Sequence, residues 1–370
     1  MKLNIKKELL LKAIAITEKN VGKNLTLPVL SNVLIKAEKN KLKIISTDLE
    51  LAIIIEIPVK IEKEGSIVVN PRTVAGFLNN SPEGTLLLKT QKDILIIEQK
   101  NYKTSIKGFN EKDFPLLPKV DKKKFFTIPS GVITKGLNQV INSTSTSDLK
   151  PELTGVFFDV KKTEFKLAST DSFRLSEKTI IREKSESVHN ESFILTTKTV
   201  QEIIKNYQDL NNILFFYVEK NQVTVQNEEN QKLNIQIISK IIESDYPDYS
   251  QIIPKEYITK AVISKKDFIQ QIRGASLFAS RINDIELNFE SNKLNIHTQN
   301  QDVGEFNSSI ETVIEGEKQQ LKFNYHYLLD GLNNLEGDEV IFKVSKTDGP
   351  SVLESSVHKD YFYIIMPVRK

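Results

Sequence analysis

The chain carries one short pattern three times, and that repetition limits its fold more than any other property it has. A strand-like run leads into an amphipathic helix at residues 3–10, again at 126–133 and again at 262–269. In the third copy Ser264 is placed to cap the helix, with Asp267 three residues on, close to a capping box. In the second, Pro129 suits a helix start. A second strand-to-helix signal follows in each third, at 67–74, 193–200 and 321–328. A third signal is a hairpin turn on Asn, at Asn40 and Asn292, where Asn tolerates the left-handed backbone of tight hairpins.

The spacings agree. Ile5 to Ile128 is 123 residues, and so is Thr47 to Thr170. Val69 to Leu195 is 126, and Val69 to Phe323 is 254 against 258 for Ile5 to Ile263, differences that short insertions explain. Alternating strands fill the space between helices, including 51–57, 86–88 and 94–97. The expected fold is therefore α+β. Three tandem similar domains, 1–120, 121–248 and 249–370, each set two helices on antiparallel sheet. Pro-bearing stretches at 115–119 and 247–254 mark the boundaries.

Composition removes several function classes. Among 370 residues there is no cysteine, so disulfides, thiolate nucleophiles and Cys-based zinc sites are excluded. His189, His297, His326 and His358 are scattered without metal-ligand spacing, and no phosphate-cradling glycine loop occurs. No metal, cofactor or catalytic residue is expected, and the chain is read as a non-enzyme. Charged residues appear by position 8, so there is no signal-peptide core, and no run nears the roughly 20 apolar residues of a membrane span. No membrane association is expected, and a cytoplasmic location is the default. The Ser-Thr-Asp at 169–171, with Arg174 nearby, admits a hydrolase reading through Asp171. Its echo at 46–48 lacks the Arg and favours a structural turn.

The net charge of +3 hides an asymmetry: residues 1–120 sum to +7, 121–250 to −1 and 251–370 to −3. A basic front and an acidic back suit attraction between two copies. Similar domains related by a constant rotation build a ring when that rotation closes. Helices on the inside would then present Lys6, Lys7, Lys12 and Lys19, with Arg72, from the first copy. The second would present Lys135, Asn138, Gln139, Asn142, Lys198 and Lys205, and the third Lys265, Lys266 and Arg273. Such polar and basic faces without interleaved aromatics suit loose phosphate contact, not base reading. A protein-binding scaffold that never touches DNA is the competing reading.

Along its whole length the chain resembles the bacterial sliding clamps. The likeness rests on residues 26–32 (Thr-Leu-Pro-Val-Leu-Ser-Asn), 46–50 (Ser-Thr-Asp-Leu-Glu) and 113–115 (Asp-Phe-Pro). It continues at 169–175 (Ser-Thr-Asp-Ser-Phe-Arg-Leu), 246–249 (Tyr-Pro-Asp-Tyr) and 363–369 (Tyr-Ile-Ile-Met-Pro-Val-Arg). The resemblance implies a head-to-tail homodimeric ring around duplex DNA, binding independently of sequence and conferring processivity on the replicative polymerase. Thr73, Thr104 and Ile106 would meet Leu277 and Phe278 of the second copy. The DNA-facing set would be Lys12, Lys19, Lys23, Arg72, Lys135, Lys150, Lys198, Lys205 and Arg273.

The resemblance also implies a groove for the linear motifs of the polymerase alpha subunit, the clamp loader, other DNA polymerases and repair factors. Carried over, it comprises Leu153, Thr170, Ser172, Phe173, Arg174, Leu175, Pro247, Gln251, Ile252, Ile364, Met366, Pro367, Val368 and Arg369. Its apolar members would take Leu or Phe anchors, and its arginines peptide carbonyls or a carboxylate. Ring opening would fall to a separate ATP-using loader. The chain departs from the family pattern at Gln251, where many relatives carry Arg, and at Phe173, where His or Tyr is common. Asn24 and Ser147 replace an Arg and a Gln near DNA, for which Lys23 and Lys150 are nearby substitutes.

Overall fold

The computed structural model describes residues 1–22, 27–122, 125–181, 190–228, 232–346 and 348–368. Lys23, Asn24, Arg369 and His189 therefore lie outside the described residues.

Among the described residues one unit, a strand, a helix and three more strands, occurs six times. The helices are α1 (Lys7–Glu18), α2 (Pro71–Asn79), α3 (Ser130–Val140), α4 (Thr197–Tyr207), α5 (Lys265–Ser276) and α6 (Tyr325–Asn334). Each follows directly on a strand and is succeeded by three, with the short strands Ile61–Lys63 and Val313–Gly316 as additions. Local chemistry sets the helix starts. The Asn70 side chain accepts from the Arg72 and Thr73 amides ahead of Pro71, and Asn324 accepts from His326. Ser264 accepts from Asp267 as expected. Pro129 ends its strand instead of opening α3, which begins at Ser130.

The chain forms two compact units, 1–134 with 201–241, and 135–200 with 242–370; the chain passes from one to the other within α3, within α4 and after Ile241. Sheet pairing accounts for this division. In the first unit Asn234–Lys240 lies antiparallel on Leu51–Pro58, with Ile237 opposite Ile53, so middle-third strands complete a first-third sheet of eight. In the second, Arg174–Ile181 lies on Tyr361–Ile365, with Leu175 opposite Ile364, joining middle and last thirds in a sheet of nine.

Each unit has its own core. In the first, Leu3, Ile14, Ile53 and Ile55 are fully buried, and Tyr207 is buried with its hydroxyl donating to the Val225 and Ile235 carbonyls at 3.0 Å. In the second, the rings of Phe289 and Phe323 sit 5.1 and 5.7 Å from that of Phe342. Each such side chain contributes about 1.5–3 kcal/mol relative to exposure. Gly331 of α6 lies against the Tyr363 ring, where a Cβ would stand 2.6 Å from it, so glycine lets the helix approach that strand.

Three local expectations fail. Lys7 is 5 % exposed: its ammonium donates to the Ser81 carbonyl at 2.6 Å and pairs with Glu83 at 3.0 Å. Gln139 is buried as well, its amide donating to the Asn334 carbonyl at 2.9 Å. The repeat pattern makes both polar wall positions, but each side chain turns to a backbone carbonyl instead. The first Asn hairpin has positive φ at Lys39 and Asn40, 50° and 59°, whereas Ser291 and Asn292 turn without left-handed backbone.

Candidate functional site

In the second unit the Ser-Thr-Asp segment is a turn that delivers the strand carrying most of the expected groove. Thr170 Oγ1 donates to the Arg174 carbonyl at 2.6 Å and accepts from the Ser172 amide at 3.1 Å. Asp171 Oδ1 accepts from the Phe173 and Arg174 amides at 2.9 and 3.0 Å. Ser172 takes φ 77°. The Asp171 carboxylate is thus spent on the backbone, which is the work of a turn former and not of a catalytic base.

Beyond the turn, Leu175 and Ile364 pack with Val352, flanked by Tyr249, Ile253, Tyr257 and Phe362. Phe173 is 60 % exposed, and the Met366 amide donates to its carbonyl at 2.8 Å. The structure therefore brings Thr170, Ser172, Phe173, Arg174, Leu175, Ile364 and Met366 into one neighbourhood. Pro367 is buried, and the Val368 amide donates to the Lys322 carbonyl at 2.7 Å. Pro247, Gln251 and Ile252 are exposed around the short turn Tyr249–Ile252. Gln251 donates to Asp248 at 3.0 Å; the Ser250 hydroxyl, and after it Gln251, holds that carboxyl below its usual pKa. Leu153 is buried under a separate turn, Pro151–Leu153.

Arg174 is more constrained than a free anion grip. Its Nε donates to Asp171 at 3.0 Å, a terminal nitrogen donates to Asp330, and the guanidinium lies 4.3 Å from the Tyr327 ring. Burial disfavours its charge, but the surrounding oxygens of Tyr363, Asp330 and Asp171 outweigh that and raise its pKa. A second buried network stands beside it: Glu177 accepts from the Tyr249 hydroxyl at 2.7 Å and from Lys166 at 3.2 Å. Burial and that carboxylate push the Tyr249 phenol up. Sequence reading missed Asp330, Tyr327 and Val352, whose distance along the chain left no signal, and it missed Glu177 and Tyr249 although they stand within three residues of the expected Arg174 and Gln251.

In the first unit, Lys12 from α1, Lys19 just past its end and Lys205 from α4 line one cleft of about 630 Å³. Lys232, not anticipated, lines it too. The other expected DNA-facing residues are dispersed. Arg72 stands 3.7 Å from Glu18, and Lys135 pairs with Glu336 at 2.8 Å. Lys150, Lys198 and Arg273 are exposed at separate positions.

Thr104 and Ile106 lie on Tyr102–Lys107, the edge strand of the five-stranded sheet, against which α2 with its exposed Thr73 packs. In the other unit Leu277 is 72 % exposed at the end of α5, and Phe278 stacks on Phe306 at 6.1 Å. Phe306 belongs to Gly304–Glu311, the edge of the four-stranded sheet. Lys103 and Lys107 are exposed on the first edge, Glu305 and Glu311 on the second. Among the described residues no cluster of potential metal ligands occurs and no helix is long and apolar enough to cross a membrane.

Comparison with known proteins gives the same picture over the whole chain. The beta sliding clamp of Bacillus subtilis (strain 168) is 26% identical over 384 residues, covering all of both chains, and that of Staphylococcus epidermidis is 26% identical over 382. The crystal structure of the Bacillus subtilis clamp superposes with a TM-score of 0.94, covering 100% of this chain and 99% of that one. A Pseudomonas aeruginosa clamp bound to griselimycin, 20% identical and covered in full, superposes at 0.93 and speaks for the fold alone. Residues 1–118, 127–248 and 250–369 match in turn the N-terminal, central and C-terminal domains of the DNA polymerase III beta subunit, and the chain accordingly belongs to that family, the sliding clamps, which are processivity factors and not enzymes.

Proposed function

We propose that two copies of this chain close head to tail through the edge strands Tyr102–Lys107 and Gly304–Glu311. Thr73, Thr104 and Ile106 of one copy meet Leu277 and Phe278 of the other. Unpaired edge backbone supplies the hydrogen bonds, and the lysines of one edge face the glutamates of the other. The domains of the ring are 1–120, 121–248 and 249–370, and the protein works in the cytoplasm. As a sliding clamp the protein encircles duplex DNA without reading its sequence and tethers the replicative polymerase. It also serves the clamp loader, other polymerases and repair factors.

The peptide groove of this reading centres on Phe173, Leu175, Ile364 and Met366. Pro247, Gln251 and Ile252 form its outer rim, and Leu153, Pro367, Val368 and Arg369 complete it. Arg174 orients the turn through Asp171 and Asp330 and offers an incoming peptide N–H donors that those two bonds leave over. Lys12, Lys19 and Lys205, with Lys23, Arg72, Lys135, Lys150, Lys198 and Arg273, face DNA.

The sixfold strand–helix–strands unit carries the reading, because a unit repeated with constant handedness is what a closed ring requires. The test is solution mass together with retention on nicked circular against linear DNA after loading. A dimer held on circles and lost from linear ends is expected. A dimer that binds partner peptides but is never retained on circles would establish the scaffold reading instead.

A further inference from the structure

Two helix pairs in this chain are built from matching positions but joined differently. In the second unit α3 and α6 are fastened directly. Gln139 donates to the Asn334 carbonyl at 2.9 Å, Asn334 returns a bond to the Gln139 carbonyl at 3.1 Å, and Lys135 pairs with Glu336 at 2.8 Å. The same positions in the first unit follow from the repeat spacing. Lys12 precedes Lys135 by 123 residues, as Ile16 precedes Gln139; Asn206 precedes Asn334 by 128, the spacing of Leu195 and Phe323, as Gln208 precedes Glu336.

Each fastening is missing there. Ile16 has no amide to bridge with, Asn206 turns to the Glu202 carbonyl at 2.8 Å, and Gln208 offers Lys12 no charge. What remains is the cleft of about 630 Å³. Among the described residues Lys12, Lys19 and Lys232 make no side-chain ion pair or hydrogen bond, while Lys205 pairs with Glu202 at 3.1 Å. Asp209 is the single carboxylate in the lining, which otherwise offers the amides of Asn206, Asn211, Asn212 and Asn227. Unpaired ammonium groups converging on a concave wall raise the local concentration of anions above that of a flat face with the same charge.

We propose that this cleft is a phosphodiester seat, in which Lys12 and Lys232, with Lys19, hold the backbone of duplex DNA. Lys135, spent on Glu336, contributes little to that contact although it occupies the matching place. The inference rests on the clamp reading and adds to it a ranking of lysines that the family resemblance does not supply, and a residue, Lys232, that it does not include.

The experiment titrates a short fluorescein-labelled duplex with the full-length dimer, at several salt concentrations, for the unaltered protein and three variants of matched thermal stability. The double variant Lys12→Gln/Lys232→Gln is expected to bind about fivefold to tenfold more weakly, with the slope of log K against log salt reduced by roughly two. Gln208→Glu, which supplies Lys12 with the partner that Lys135 has, should weaken binding in the same direction. Lys135→Gln should stay within about twofold. Inorganic tripolyphosphate at matched phosphate concentration should not displace the duplex.

The assignment is overturned by a double variant that binds like the unaltered protein, by a Lys135→Gln loss as large as that of the double variant, or by displacement with tripolyphosphate, which would mark a site for small anions. If the unaltered protein is retained on nicked circles while the variants bind normally, the clamp reading survives and the seat does not. If the unaltered protein neither binds the duplex nor is retained on circles, both fall.

Discussion

The turn at 46–51 and the turn at 169–174 are the same object with different surroundings. In the first, Thr47 donates to the Leu51 carbonyl at 3.1 Å, and Asp48 accepts from the Glu50 and Leu51 amides at 3.0 and 2.8 Å, with Leu49 at φ 78°. The second repeats each bond and the positive φ. Even the next strand docks alike: the Lys240 amide donates to the Glu50 carbonyl as the Met366 amide does to that of Phe173. The side chains on this shared backbone differ. Glu50 and Lys240 form an exposed ion pair at 2.9 Å where the other turn sets Phe173 beside Met366. Ile54 sits in an apolar cluster with Phe114, where its counterpart Glu177 binds Tyr249 and Lys166. The repeat supplies geometry, and a few replaced side chains make one copy charged and the other apolar at its rim, the difference on which the proposed groove rests.

The sharpest way to break this comparison is at Glu177. Replacing it by Ala leaves the Lys166 ammonium and the Tyr249 hydroxyl without their acceptor; a loss of about 3 kcal/mol is expected, whereas Ile54→Val should cost about 1 kcal/mol. Denaturant unfolding of the two variants side by side checks the difference. Next comes the turn itself. Asp171→Ala forfeits two backbone bonds and a largely buried contact to Arg174, for an expected loss of about 2–3 kcal/mol. Asp48→Ala, with two backbone bonds, should lose about 1–2 kcal/mol. Equal melting shifts would show that Arg174 adds nothing.

Transplanting the rim gives a smaller and more specific effect. Phe173→Glu with Met366→Lys should leave the dimer and its melting temperature intact. It should weaken a fluorescent peptide with Leu and Phe anchors by about tenfold, the cost of removing an apolar anchor surface. Binding unchanged in anisotropy would move the groove elsewhere. The reverse exchange, Glu50→Phe with Lys240→Met, removes an exposed pair worth about 0–1 kcal/mol, so its melting curve should nearly overlay the original.

The sequence disclosed what is periodic. The spacing of 123 residues from Thr47 to Thr170 aligns two turns that prove bond-for-bond alike, and the helices fall where each third repeats its strand-to-helix signal. The choice of structural turn over catalytic carboxylate at Asp171 was legible from the same echo. What escaped is long-range. Lys7 reads as one more polar helix residue, and nothing near it announces that Ser81 and Glu83 will enclose its ammonium. Gln139 finds its partner 195 residues away. Lys232 joins the cleft only because it leads into Asn234–Lys240, the third strand after α4, whose Ile235 lines the cleft with α1. Arg174 reads in sequence as an open grip, and its two carboxylate partners come from its own turn and from α6.

The pairing of Asn234–Lys240 on Leu51–Pro58 also bears on how the protein is made. A ribosome finishes Leu51–Pro58 some 180 residues before it finishes the strand that will cover that edge, an interval of roughly 10–40 s at ordinary elongation rates. Throughout it the nascent chain displays Ile53-Ile54-Ile55 on a bare β edge, an invitation to the neighbouring chains of a polysome. Synthesis of this protein therefore has a vulnerable window fixed by topology, and shielding of nascent chains, more than the final stability, should govern its yield.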